Sequence, residues 1–510
     1  MLAKVNSFAL SGLDGYKVDI EIDINAGLPR VEIIGLADTA IKESAERVTS
    51  SLKNSGFHFP VKRVIVNLAP ADTKKEGSLF DLPIAVGVLA ASEQLHTAAY
   101  KNYVILGELS LDGKLRPIDG LMAILISGMQ QGFTKFIIPS ENAAEASYID
   151  GIEAYCVHSL KEACEFLEGV SKITAVEHKE FSNALCEQKC DVDFSEVKGQ
   201  RTAKRAMEIA VAGGHNILLI GPPGAGKSML AKSVVGIMPD LTFEEAIEVT
   251  KVYSVAGLLD EKKGIVTMRP FRTPHHTATI PALVGGGNRS LPGEVSLANH
   301  GVLFLDEMPE YKRAALETLR QPLEDGTITV SRVQQTVKYP ANFMLIGSMN
   351  PCPCGNYGSR KQVCTCTPQA IRRYLNKLSG PLLDRIDIQV EVDGVEYADL
   401  RAHGEEESSR SVKERVMRAR EIQRKRFADG VIYTNSDMNN RLIKEYCSIP
   451  AEAEEMMESA FRRLSLSARA SFRILKVART IADLEGKDKI ETAHVAEAIQ
   501  YRSLDRKYFN

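Results

Sequence analysis

Gly221-Pro222-Pro223-Gly224-Ala225-Gly226-Lys227-Ser228 follows a hydrophobic run, Asn216-Ile217-Leu218-Leu219-Ile220, and precedes a segment of helical pattern, Met229 to Met238. Strand, glycine-rich loop and helix in that order make a G-x-x-x-x-G-K-[ST] match a phosphate-binding loop rather than a glycine turn before a lysine. The glycines let backbone N–H groups turn inward around phosphates, and the helix N-terminus adds positive potential. In such a loop Lys227 reaches the β- and γ-phosphates and the Ser228 hydroxyl ligates Mg²⁺. The expected fold class is α/β, and Gly221, Pro222, Pro223, Gly224, Ala225, Gly226, Lys227 and Ser228 are the expected nucleotide-binding residues.

Two further runs supply what hydrolysis needs. Gly301-Val302-Leu303-Phe304-Leu305 reads as a buried strand that ends in Asp306-Glu307. Asp306 suits the role of holding Mg²⁺ with Ser228, and Glu307 that of polarising the attacking water. An apolar strand ending in two acids is common by itself and often marks only a strand entering solvent. With the loop upstream it points to hydrolysis of ATP. A third run, Phe343-Met344-Leu345-Ile346-Gly347-Ser348-Met349-Asn350, ends in an amide that would orient the same water. Without the other two motifs, Asn350 before Pro351 would read as a turn residue.

The 510 residues suffice for two or three domains with ample core. Hydrophobic residues at 44% and charged residues at 25% are ordinary for a soluble globular chain. The first residues lack a charged-then-apolar leader, and no apolar run approaches a membrane span, so a cytoplasmic location without a membrane partner is expected. Nine cysteines in that setting point to metal binding or burial rather than disulfides. A formal net charge of −3 provides no global attraction for nucleic acid, so any DNA contact must come from a local basic surface such as a pore lining.

Pattern divides the chain into four regions. Residues 1–169 alternate β-rich runs (Tyr16–Ile24, Arg30–Ile34, Arg63–Leu68, Tyr103–Leu106, Lys135–Ile138) with helical stretches (Ala37–Gly56, Leu82–Glu93, Gly120–Gln131). Residues 170–193 are polar and aperiodic, as a linker would be. Residues 194–395 hold the nucleotide motifs. Residues 396–510 read as helices at Ser411–Phe427, Pro450–Leu464, Ser467–Leu484 and Thr492–Leu504.

A phosphate loop, an Asp-Glu strand, an Asn-ending strand and a helical C-terminal lid, in that order, resemble an AAA+ ATPase. Two insertions narrow the resemblance. One carries Arg269-Pro270-Phe271-Arg272-Thr273-Pro274-His275-His276-Thr277 and Leu283-Val284-Gly285-Gly286-Gly287; the other is an apparent hairpin, Gly326–Val330 and Thr336–Tyr339, with Arg332 near its tip. They resemble the helix-2 insert and presensor hairpin of the magnesium chelatase and replicative-helicase branch, and over nearly the whole chain the match is to magnesium chelatase-like proteins of the YifB/ComM family. That resemblance implies a hexameric ring that drives DNA branch migration, integrating incoming strands during natural transformation or recombination. It implies Arg385, in Gly380-Pro381-Leu382-Leu383-Asp384-Arg385-Ile386-Asp387, as an arginine finger reaching the neighbouring subunit's ATP. It also implies Arg469 as the lid arginine that senses the γ-phosphate, with Arg473 one helical turn on as the alternative.

The N-terminal region resembles the Lon protease fold with its chemistry altered. Leu79 stands at the nucleophile position and Met122 at that of the base lysine. Ser78 is one residue away, yet without a nearby base it is a weak nucleophile. The reading is an interaction or DNA-gating platform, not a peptidase.

Cys352, Cys354, Cys364 and Cys366 fall within fifteen residues as two C-x-C pairs. They are candidates for one structural Zn²⁺, although the spacing is not the usual C-x₂-C. The alternative is four buried or unpaired thiols beside the third strand. For DNA, Arg332, Lys338 and Arg272 are the main candidates, with Arg269, His275, His276 and Arg289 behind them, because tracking along a backbone needs charge rather than base reading. The basic run Arg410 to Arg426 reads first as a solvated face. A chelatase-type motor ranks lower: the chain lacks the Asp-x-Ser-x-Ser metal site of the partner subunit, and a Lon-like front end is foreign to such a motor. A protein-remodelling ring also ranks lower, because Leu283-Val284-Gly285 offers only an aliphatic version of an aromatic pore loop.

Overall fold

The computed structural model describes residues 2–185, 192–287, 290–331, 336–358, 362–394, 406–427, 432–464 and 466–509. They fall into two compact units, Met1–Cys186 with Thr242–Thr267, and Glu187–Leu241 with Met268–Asn510.

The first unit is built on a mixed seven-stranded sheet. Its strands are β1 (Leu2–Ser11), β2 (Asp14–Asn25), β3 (Arg30–Ile34), β4 (Arg63–Ala69), β5 (Val104–Ile105), β8 (Lys135–Pro139) and β9 (Glu153–Val157), in the order β3-β4-β2-β1-β5-β8-β9. A separate two-stranded piece pairs β6 (Glu108–Leu109) with β7 (Leu115–Arg116). The helices Thr39–Asn54, Asp81–Ala91 and Leu121–Gln130 cover the sheet, and the middle one is buried along its whole length. Residues 242–267 belong to this unit although they lie in sequence between the phosphate loop and the insert, a pairing that the linear order of regions does not suggest. Hydrogen bonding explains the placement. Ser254 Oγ donates to the buried carboxylate of Glu145, Gly120 N–H donates to Ser254 O at 3.1 Å, and Met122 N–H donates to Glu145 Oε1 at 2.8 Å. Burial pushes the Glu145 carboxyl above its ordinary pKa despite those donors.

The second unit is a parallel five-stranded sheet with a helical C-terminal part. Its strands are β10 (Ile217–Ile220), β11 (Phe271–Arg272), β12 (Val302–Leu305), β15 (Met344–Met349) and β16 (Ile388–Glu391), in the order β11-β12-β15-β10-β16. An antiparallel hairpin, β13 (Thr327–Ser331) with β14 (Thr336–Pro340), stands apart from it. Ile217 to Ile220 are all fully buried, as the uninterrupted apolar run of an interior parallel strand requires. Helices Ser409–Arg426, Ala451–Leu464, Ala468–Leu484 and Thr492–Gln500 follow, and their apolar faces share one core with the sheet.

The basic run is part of this packing. Lys413 pairs with Asp240 at 2.7 Å, Arg415 with Glu208 and Glu407, and Arg426 with Asp483; Arg420 donates to Val211 O at 2.8 Å. Arg410 and Arg418 remain on its exposed side.

Candidate nucleotide site and cysteine knuckle

In a parallel sheet all carboxyl ends lie along one edge, and ligands bind in the crevice outside them. β12, β15 and β10 are neighbours, with Leu305 beside Gly347 and Met349 beside Ile220. The residues that follow them are therefore brought together: Asp306-Glu307 after β12, Asn350 after β15, and the glycine loop after β10.

The loop turns into the helix Lys227–Ser233 at Gly226, whose φ of +85° is a left-handed value that a side chain would strain. A Cβ on Gly224 or Gly226 would meet nothing within 4 Å, so this face of the loop is open. Lys227 is largely buried. Its Nζ donates to Gly221 O at 2.7 Å, Pro222 O at 2.9 Å and Asn350 Oδ1 at 3.1 Å. Burial depresses the ammonium pKa, opposed by the charges of Asp306 and Glu307. Ser228 Oγ donates to Asp306 Oδ2 at 2.9 Å. Ser228 and Asp306 thus present adjacent oxygens, a donor set that suits Mg²⁺.

Glu307 sits at φ +49°, a conformation costing a non-glycine residue about 1–3 kcal/mol. Its N–H is held by Asp306 Oδ1 at 3.1 Å and Ser348 Oγ at 3.2 Å, while the Ser348 hydroxyl donates to Asp306. Ser348 and Tyr374 are site residues that the motifs did not reveal. Ser348 stands two residues before Asn350 in an extended segment and so shares its face, which was a usable signal. Tyr374, on the helix Pro368–Leu375, is buried beside the Asn350 backbone; burial pushes its phenol well above the ordinary range, opposed by the Asn350 backbone. Nothing local to Tyr374 announces that contact.

Arg385 and Arg469 stand together elsewhere, at Glu324. Arg385 is buried, with its guanidinium on Glu324 at 2.5 Å and on Pro381 O at 2.6 Å; Arg469, with its side chain 68% exposed, lies 3.9 Å from the same carboxylate. Arg473, the alternative lid arginine, pairs with buried Asp387, which also lies 3.4 Å from His215 Nδ1.

The four cysteines converge. Their sulfurs all lie within 4.8 Å of one another, with Cys352 at 3.4 Å from Cys354 and 3.7 Å from Cys364, and Cys354 at 3.6 Å from Cys364. A tetrahedron with metal–sulfur bonds of about 2.3 Å has edges of about 3.8 Å, whereas a disulfide would need about 2.05 Å. Tyr357 N–H also donates to Cys352 Sγ at 3.3 Å. This donor set fits a thiophilic, tetrahedral Zn²⁺.

Of the DNA candidates, Arg332 and Arg289 lie outside the described residues. Lys338 is exposed on β14. Arg272 makes a two-pronged pair with Glu294 at 2.6 and 2.7 Å, and Arg269 donates to the carbonyls of Pro239, Asp240 and His300. In the first unit the Ser78 hydroxyl donates to Glu108, Lys75 is buried on the carbonyls of Pro70 and Thr73, and Met122 is buried.

Family models match along the chain. They are described as magnesium chelatase, subunit ChlI (residues 193–400), subunit ChlI of Mg-chelatase (20–142) and magnesium chelatase, subunit ChlI C-terminal (406–502). The second match removes the argument that the front region is foreign to chelatase-like proteins. Competence protein ComM of Haemophilus influenzae is 43% identical over 510 residues, 99% of this chain and 98% of that one. Protein YifB of Escherichia coli is 42% identical over 506 residues, again 99% and 98%. Magnesium-chelatase subunit ChlI of Nicotiana tabacum is 23% identical over 333 residues, 60% of this chain and 71% of that one. With full-length identity at this level and strand ends that gather the phosphate loop, the acidic pair and the asparagine, the chain belongs to the YifB/ComM family of magnesium chelatase-like AAA+ proteins.

Proposed function

We propose that the chain is the subunit of an ATP-hydrolysing ring, a hexamer, that translocates on DNA and drives branch migration during integration or recombination. The convergence of Lys227, Ser228, Asp306, Glu307 and Asn350 at three adjacent strand ends carries the ATPase reading. Lys227 would exchange its carbonyl partners for the β- and γ-phosphates, and Ser228 with Asp306 would hold Mg²⁺. Bound Mg²⁺ supplies charge neutralisation at the transferring phosphoryl. Glu307, fixed through its N–H, orients and deprotonates the attacking water, and Asn350 shares that water.

The ring is supported by the location of Arg385 and Arg469, which meet at Glu324 rather than at Lys227. On this reading both act on a neighbouring subunit's nucleotide, where a guanidinium neutralises developing charge. Full-length likeness to a competence protein supports DNA as the substrate. The exposed Lys338 on the hairpin, with Arg332, would meet the DNA backbone. Arg272 reaches DNA only by leaving Glu294. The knuckle would hold one structural Zn²⁺ through Cys352, Cys354, Cys364 and Cys366. A chelatase-type motor is the second reading, favoured by the weaker likeness to ChlI.

The test is a labelled three-stranded DNA junction incubated with the protein, with and without ATP. ATP-dependent strand displacement is expected. Protein that hydrolyses ATP but neither displaces a strand nor is stimulated by DNA would sink the DNA motor and favour a protein-remodelling or chelatase-type machine.

A further inference from the structure

The knuckle does more than close a loop. It leaves β15 directly after Asn350 and returns through Cys366 and Thr367 into the helix Pro368–Leu375, which carries the buried Tyr374. Midway, Gly355 lies against the phosphate loop: a Cβ there would stand 2.5 Å from Pro223 Cδ, so only glycine permits the approach. Beyond it, Tyr357 packs edge-on against Tyr508 with ring centroids 6.3 Å apart, and Gly358 adjoins Lys507. Tyr508 and Lys507 both hold Glu391, the last residue of β16. The next residue closes the circuit, since a Cβ on Gly221 would stand 2.2 Å from Val392 O. A closed chain of contacts therefore runs from Gly221 through the phosphate loop to Pro223, across the knuckle to the C-terminal segment, and through Glu391 and Val392 back to Gly221.

We propose that the four-cysteine knuckle is a Zn²⁺-dependent brace of the phosphate loop, closed by the C-terminal segment, so that nucleotide binding depends on metal occupancy. The inference rests on the nucleotide-binding reading above. A glycine-rich loop binds phosphate well only when its N–H groups are already turned inward, because ordering it on binding costs affinity. Without a cation the four cysteines take up protons as thiols and share no common ligand, so the bonds that would seat the knuckle on Pro223 are missing. Bound Zn²⁺ holds them at tetrahedral spacing and is itself part of the folding energy of such a loop.

The experiment measures zinc content, ADP affinity by titration of a fluorescent analogue, and amide hydrogen exchange over residues 219–228. It uses the full-length wild type, wild type stripped by a thiol-competent chelator and then resupplied with Zn²⁺, the double variant Cys364→Ser/Cys366→Ser, and Gly355→Ala. The wild type is expected to carry about one zinc per chain. Stripped wild type and the double variant are expected to bind ADP at least about tenfold more weakly, with faster exchange over 219–228, and Zn²⁺ is expected to restore the stripped protein. Gly355→Ala keeps its four thiolates, so it should retain zinc and still lose affinity, which separates bracing from metal binding. Folded wild type that carries no zinc, or stripped protein that binds ADP unchanged, would overturn the brace. Zinc-loaded wild type that fails to bind ADP would overturn the nucleotide reading with it.

Discussion

Lys227 and Glu307 are both held at a cost, Lys227 by burial of its charge and Glu307 by its backbone. Lys227→Ala is expected to abolish ATP binding. Glu307→Gln keeps the shape and every backbone hydrogen bond, so it should bind ATP as tightly as the wild type while turnover falls about 10²–10⁴-fold. Nucleotide titration beside single-turnover hydrolysis checks both, and wild-type turnover in Glu307→Gln would remove it from the role of base. Lys227, Ser228 and Asp306 were legible in the sequence because the motif that names them also sets their local order. Ser348 and Tyr374 were not, because their roles come from neighbours brought in by the sheet and by a helix far along the chain.

At the level of elements, the helix Ala468–Leu484 is joined to the base of β10 by a buried polar cluster. Arg473 holds Asp387, whose Oδ2 accepts from Asn216 N–H at 3.2 Å, and His215 bonds Thr480 at 2.8 Å. Asn216 also donates to Arg385 O at 3.0 Å and accepts from Leu345 N–H at 2.8 Å, tying the lid side of the cluster to two strands and the arginine loop. Burial would raise the Asp387 pKa, but Arg473, and then His215, hold it well below the ordinary carboxylate range. Its folded value lies below its unfolded one, near 4, so its stabilisation is present above about pH 4 and is lost as pH falls through the depressed value. Asp387→Asn should cost about 3–5 kcal/mol at neutral pH, because Arg473 is left without its buried partner. Denaturant midpoints from pH 7 downward should show the gap to wild type narrowing below about pH 4. A gap that stays constant would mean that the pair contributes no charge-dependent stability. Strands and helices with strong apolar period, such as β10, β15 and Ala468–Leu484, stood out in the sequence to within a few residues. β1 and β9 were not among the expected strands: β1 carries the period-2 alternation of a half-buried strand, Ala3, Val5 and Ser7 against Lys4 and Asn6, a signal that was available, whereas β9 is only five residues long and Tyr- and Cys-bearing.

For the whole molecule, order along the chain was a partial guide. The nucleotide core and helical C-terminal part follow it, whereas residues 242–267 join the first unit through Ser254 and Glu145, a long-range burial that no local pattern encodes. The functional claim at this scale is that each ATP site is finished by a second copy of the chain. Arg385, buried on its own Glu324, is the residue assigned to that task. Arg385→Ala alone should bind ADP normally and lower turnover by about 10³–10⁵-fold. The most direct measurement mixes Lys227→Ala with Arg385→Ala and follows ATP hydrolysis. Each variant alone should be inactive. Random one-to-one assembly leaves about one junction in four with an intact loop facing an intact arginine, so activity should return towards that fraction of wild type. A mixture as inactive as its parts, or Arg385→Ala hydrolysing at the wild-type rate by itself, would contradict a shared site.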